Sequence, residues 1–224
     1  MIDPYIEKNS VLKNKLGIKD YEELNQAEAD IGFVKLIDVD SVDLTKFDAN
    51  LFKNIHKHIF EDIFEWAGEY RTVPIYKEEV VIPGLSLNYE EPKKIEKSLD
   101  EKIADINEIA WKEKSAHEIS MIFARKLAMI WKVHPFRDGN TRTTLSFGYL
   151  YAQEHGFPFD MKKLLSNLTR KYDEQGEITQ YSLRDKFVLA ALDEQDYPEP
   201  EHLAKLFEDS IIEKRNEKEK DLEK

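Results

Sequence analysis

Val133–Thr144 reads VHPFRDGNTRTT. Within it lie an imidazole, an acid, a glycine, an amide, hydroxyls and two arginines. Apolar helical text flanks the stretch on both sides: Ser120–Trp131 is SMIFARKLAMIW and Leu145–Ala152 is LSFGYLYA. Apolar residues at helical spacing on either side predict two buried helices holding one short polar loop. A loop so polar and so firmly framed is where chemistry is expected.

Composition narrows the classes of function. The chain has 224 residues, enough for one core and a small appendage. Its formal net charge is −12, which argues against a broad nucleic-acid surface, because such surfaces neutralise many phosphates with Lys and Arg. There is no cysteine, so a disulfide framework, a thiolate nucleophile and a Cys-ligated metal are excluded. The amino terminus, MIDPYIEKNSVLKNKLG, lacks the apolar core of a signal peptide. No run approaches the ~20 apolar residues that cross a bilayer. A cytoplasmic protein without membrane contact is expected.

Outward from the motif, the pattern is helical. Asp20 is placed to cap a helix to about Leu36, with Tyr21, Leu24, Ala27, Ile31 and Val34 expected inward. Val11–Leu16 reads as a short turn or helix closed by Gly17. Leu51, Ile55, Ile59 and Ile63 repeat every four residues, predicting a helix over about 48–65. His56 and His58 diverge on such a helix, so a partly buried histidine beside a surface one is expected rather than a metal pair. Helices are also predicted over about 90–108, from a Ser115 cap to the motif, over 140–154, 161–168, 180–192 and 201–212. His117, in the first turn after the Ser115 cap, is expected to be structural or solvent-facing. Arg215–Lys224 is almost wholly charged and reads as a frayed or disordered tail. Trp66–Gly84 has another character: Thr72–Ile75 and Glu79–Ile82 are short β-prone runs, predicting a hairpin with Pro74 on an edge. It is expected to pack on the helices as a flap and to offer its edge to an extended peptide.

The motif lacks GxGxxG, GxxxxGK[ST] and HExxH patterns. It does enter a helix near Gly139–Asn140, where unpaired amides and the dipole favour an anion. Gly139 would admit a phosphate close to the backbone, Asn140 would donate from its amide, and Arg142 would offer a charged fork. Asp138 would repel phosphate unless a cation such as magnesium intervened. His134 is suited to take a proton near neutral pH. Transfer from a magnesium–nucleotide to a hydroxyl is the reaction class suggested, with a plain polar interhelix loop as the alternative.

His134–Thr143, HPFRDGNTRT, closely resembles the Fic/Doc signature, and Trp66–Arg71, WAGEYR, resembles the segment before that family's flap. The resemblance covers about Asn9–Leu192. It implies an all-α, Fic-like helical bundle with a small β-hairpin flap over the active site. It divides the chain into a single domain at 1–192, a helical extension at 193–212 and the charged tail at 213–224. It implies AMP transfer from Mg2+–ATP to a hydroxyl of a target protein. His134 is then the general base and Asp138 the magnesium ligand. Phe136, Gly139, Asn140, Thr141 and Arg142 form the nucleotide set, with Phe136 anchoring the motif. Thr72, Val73, Pro74, Ile75, Val80, Val81 and Ile82 form the target-binding flap. Leu12–Gly17, LKNKLG, is similar to the start of Fic toxins controlled by a separate small antitoxin, whose inhibitory helix is then a partner. The chain departs from the family pattern twice: Thr141 stands in place of glycine and Leu145 in place of a second arginine. A Doc-like phosphotransferase and an impaired interaction module are the alternatives.

Overall fold

The computed structural model describes residues 3–7 and 10–212; the expected charged tail lies outside them. Among the described residues the chain is mostly helical: α1 (Tyr21–Ile37), α2 (Ala49–Phe60), α3 (Ile95–Asn107), α4 (Ala116–Val133), α5 (Asn140–Glu154), α6 (Met161–Leu165), α7 (Leu183–Ala190) and α8 (Glu201–Ser210). Its two strands, β1 (Lys171–Tyr172) and β2 (Ile178–Gln180), pair antiparallel. The all-α class expected from the sequence stands.

α4 is the axis. Phe123, Ala124, Leu127, Ala128, Ile130 and Trp131 are buried along it, and α3, α5, α7 and α8 pack around it. Burying such side chains stabilises by roughly 1.5–3 kcal/mol each. Ser115 caps its start, as the sequence predicts, and Glu118 completes a reciprocal capping box with it. α2 lies across α5, with Phe52 meeting both Phe136 and Phe147. The junction between α4 and α5 is therefore fixed by apolar packing on each side, and the polar motif bridges it.

Several expected elements end early or lie elsewhere. α2 stops at Phe60, where the chain tightens into a turn: the Ile63 N–H bonds back only three residues, to the Phe60 carbonyl. The helix expected from Gln180 begins at Leu183, since Gln180 belongs to β2. Val11–Leu16 forms no helix: the arm doubles back, with an isolated bridge between Ile6 and Leu12. Asn14 holds that turn by bonding the N–H and C=O of Ile18.

The buried face of α1 is Leu24, Glu28, Gly32 and Leu36, whereas Tyr21 and Val34, expected inward, are exposed. The reason is tertiary: Arg142 reaches across to Glu28, and a Cβ on Gly32 would stand 3.1 Å from its guanidinium. The helix turns toward the arginine rather than toward its own apolar stripe.

The segment 72–82 contains no strand. The Val73 carbonyl accepts from Arg71 Nη1 at 2.9 Å, Pro74 has no N–H to give, and Val73 and Ile82 turn into the core. A ladder is left without partners, so the flap is an irregular loop. The hairpin lies instead at 171–180, closed by Asp173, whose carboxylate accepts from the N–H groups of Gln175 and Glu177.

Candidate active site

α4 ends at His134, whose backbone is left-handed at φ 50°, ψ 57°. Such a conformation is uncommon outside glycine and has to be held by its surroundings. The holding group is Arg71. It is almost wholly buried, and its Nε donates to the His134 carbonyl at 2.8 Å. Its other nitrogens donate to the carbonyls of Val73 and Glu90, and its N–H donates to the Pro135 carbonyl at 2.8 Å. Burial draws Arg71 down to about 10, still charged at neutral pH. One side chain thus ties the end of α4 to both ends of the flap.

The far side of the turn has its own clamp. His56 on α2 is fully buried and stacks on Phe136 with centroids 3.7 Å apart. Its Nδ1 accepts from the Gly68 N–H at 2.8 Å, which leaves Nε2 to donate to the Asp138 carbonyl at 3.2 Å. Burial lowers this imidazole to about 3, so it stays neutral and its tautomer is fixed. His58 bonds the Lys35 carbonyl of α1, and no metal-binding cluster of three or more His, Cys, Asp or Glu exists among the described residues. His117 is exposed beside Glu208.

Gly139 opens α5 at φ 77°. A Cβ there would lie 2.3 Å from the Phe60 ring, so both conformation and packing demand glycine. No side chain caps α5, and Asn140, Thr141 and Arg142 of its first turn line the motif's cavity. Asn140, expected to donate to a phosphate, lines the cavity but has its side chain turned to the loop. Its amide is buried and spent within the loop, accepting from the Phe136 N–H and donating to the Phe136 carbonyl, both at 2.9 Å. Phe136 is likewise fully buried and holds the loop rather than meeting a ligand with its ring. Thr141 accepts from Trp131 Nε1 at 3.0 Å and remains on the cavity wall. Leu145 is buried in the core, so no side chain reaches the cavity from that position.

The cavity has a volume of about 920 Å3 and is walled by α1, the flap, α7 and the motif. His134, Asp138, Gly139, Asn140, Thr141 and Arg142 all line it. Of the flap residues expected to meet a target, Val73 and Ile82 are buried, whereas Val80 is exposed, as is Tyr76.

The electrostatics are uneven. Burial works to raise the Asp138 carboxyl, but Lys77, Arg142, the Gly139 N–H and Arg137 outweigh it and hold it at about 2. Asp138 is therefore ionised. Burial, with Lys77, Arg184 and Arg71 nearby, pushes His134 well below the ordinary histidine range. Its ring nitrogens have no hydrogen-bond partner among the described residues, and its ring stacks on Tyr89 at 4.1 Å. A buried, unpartnered, neutral imidazole is costly to keep, and such costs concentrate at functional sites.

Three residues that sequence reading passed over complete the site. Glu28 pairs with Arg142, and burial lifts its carboxyl against the pull of that arginine. Asp3 pairs with Arg137 at 2.8 Å. Tyr89 carries a hydroxyl fixed between Glu79 and Arg184. None is adjacent to the motif in sequence, and only Glu28 gave a signal: an acid at i+4 from Leu24 and i−4 from Gly32 on one helix face.

A helical fold thus brings an ionised acid, a helix start with no side-chain cap and an unpartnered imidazole to one cavity. The Fic/DOC family pattern matches residues 46–152. Over 163 residues the chain is 30% identical to the Sinorhizobium fredii protein named "Probable protein adenylyltransferase y4lH", covering 69% of this chain and 77% of that one. It is 29% identical over 164 residues to protein adenylyltransferase VbhT of Bartonella schoenbuchensis, covering 72% of this chain but only 33% of VbhT. The chain belongs to the Fic/DOC family. Its fold matches the crystal structure of BepC from Bartonella tribocorum, solved with bound AMPPNP, at a TM-score of 0.66 and 24% identity, over 94% of this chain and 97% of that one. It matches a VirB-translocated Bep effector protein from Bartonella quintana, solved with bound ADP, at 0.69 and 24%, over 93% and 94%. No helix among the described residues is long and apolar enough to cross a membrane.

Proposed function

We propose that this chain is a protein adenylyltransferase that moves AMP from ATP to a hydroxyl side chain of a target protein. One observation carries the reading: the unpartnered His134 imidazole, ionised Asp138 and the uncapped start of α5 line the same cavity. Curated relatives named as adenylyltransferases support it.

The acceptor oxygen bonds to the α-phosphorus as the α–β bridging bond breaks, and pyrophosphate leaves. The acceptor's proton passes to a ring nitrogen of His134, which stands neutral and unbonded. No enzyme nucleophile is needed; the protein contributes orientation and charge. The amides of Asn140, Thr141 and Arg142 bind phosphate oxygens at the dipole's positive end. The Arg142 guanidinium adds a fork once phosphate competes with Glu28 for it.

Magnesium fits the residues present. Asp138 is one ionised carboxylate on the cavity wall, and this metal commonly takes one or two carboxylates together with substrate phosphates and water. When bound, it neutralises polyphosphate charge beside Asp138. The flap, with Tyr76 and Val80 outward, registers the target's main chain beside the donor.

The same reading assigns control to a separate small antitoxin whose helix blocks the site, inside a bacterial cytoplasm. The Leu12–Gly17 resemblance supports it, together with the exposed Phe33, Val34 and Ile37 of α1. Growth arrest on expression in a bacterium, relieved by a neighbouring small gene product, tests that part.

The transferase reading is tested with ATP labelled at the α- or the γ-phosphate, magnesium and bacterial protein. Label from the α position and an AMP-sized mass on the acceptor are expected. Label from the γ position alone establishes the Doc-like phosphotransferase, and no label with any nucleotide leaves an interaction module.

A further inference from the structure

Four cations line the cavity: Lys77, Arg137, Arg142 and Arg184. Three of them are each held by a carboxylate. Arg137 is paired with Asp3, Arg142 with Glu28, and Arg184 with Glu79. Lys77 differs. Among the described residues it makes no hydrogen bond and no ion pair within 4 Å. It comes from the flap, lines the same cavity as the start of α5, and is only half-buried.

We propose that Lys77 is a donor-contacting residue, whose ammonium closes the phosphate cradle from the flap side. The inference rests on the transferase reading above and adds the residue that completes its grip on the polyphosphate.

Geometry and charge converge on this. The motif side of the cavity supplies amides and one arginine, and Leu145 is buried away from it. A triphosphate carries more negative charge than those groups and one cation neutralise, so a further cation facing the motif is needed. Arg184 is unsuited, since it is forked onto Glu79 and bonded to Tyr89, which together pin the flap to α7. Arg137 is tied to the amino-terminal arm. Lys77 has a long, flexible stem and three donors free to turn. Its charge is felt throughout the site: it helps to hold Asp138 ionised and His134 neutral. Asp138 pulls the Lys77 ammonium up, but burial with Arg184 and Arg137 outweighs it and leaves the group below the ordinary lysine range. An added anion between these cations relieves that crowding.

The test is equilibrium binding of AMPPNP with magnesium, and of adenosine, to the full chain as wild type, Lys77→Met and Lys77→Arg. The proposal expects K77M to weaken AMPPNP at least tenfold, K77R to restore most of that loss, and adenosine to bind all three alike. Steeper weakening of AMPPNP by salt in the wild type than in K77M is also expected. Unchanged or tighter AMPPNP binding by K77M overturns the proposal, because Lys77 is then only a counter-ion for Asp138. Equal losses of AMPPNP and adenosine overturn it too, since the residue then merely shapes the flap. If wild type binds AMPPNP and K77M is indifferent, the transferase reading survives and Lys77 alone falls. If wild type binds no AMPPNP, both fall together.

Discussion

The turn at 134–140 and the segment 72–90, which carries the flap, line one cavity. Every bend of the turn is held by a buried group: from outside by Arg71 at His134 and His56 at Asp138, and from within by Asn140 at Phe136. The flap is fastened chiefly at its ends and at Glu79, and between those points Tyr76 and Val80 are exposed. On the proposed function, the difference divides the work. A rigid turn suits a donor whose phosphates must meet fixed amides. A tethered but open loop suits an acceptor segment that arrives from solution.

Removing a clamp should erase the distinction. Arg71→Met strands the carbonyls of His134, Val73 and Glu90. With roughly 1–3 kcal/mol for an unsatisfied buried group, and some relief by water, a loss near 3 kcal/mol is expected in denaturant melts. Transfer should fall at least ~100-fold, because misplacement by about 1 Å has that scale of effect. Opening the flap surface should do the opposite. Tyr76→Ser with Val80→Ser should leave stability within about 0.5 kcal/mol, yet raise KM for the protein acceptor several-fold with donor affinity unchanged. A matching loss of donor affinity would show that the two regions are not separate.

A smaller effect sharpens the donor side. Glu28→Gln keeps a hydrogen-bond acceptor for Arg142 but removes the charge that competes with phosphate. Donor binding, measured by titration, should tighten several-fold. The smallest expected change is with pH. His134 lies well below the ordinary histidine range, so its basic form is fully present through neutrality and is lost only as pH falls well under about 6.5. The rate should therefore be flat from about pH 6.5 to 8, where an unperturbed histidine would already be half protonated at the lower limit.

What was legible in the sequence was local. Ser115 and Glu118 announce the start of α4, and Gly139 announces the start of α5, because caps and left-handed turns are short-range chemistry. What was not legible was reciprocity between distant residues. Asn140 looked free for a phosphate and is consumed by Phe136. The α1 face was misread because its orientation answers to Arg142, 114 residues away from Glu28. The flap looked like a hairpin from its β-prone residues, but Arg71 takes the carbonyl that a ladder would use. Of the two histidines on α2, apolar spacing told that they diverge but not that His56 holds the Asp138 carbonyl.

The central claim is that His134 accepts the hydroxyl proton while the adjoining turn binds the donor by itself. The most direct measurement is transfer from α-labelled ATP by His134→Ala at saturating donor, with donor affinity determined on the same sample. The account predicts a loss of at least ~100-fold in rate, the lower range for general-base catalysis, with donor affinity within about twofold of wild type. Transfer at an undiminished rate would contradict it, whatever nucleotide the turn holds.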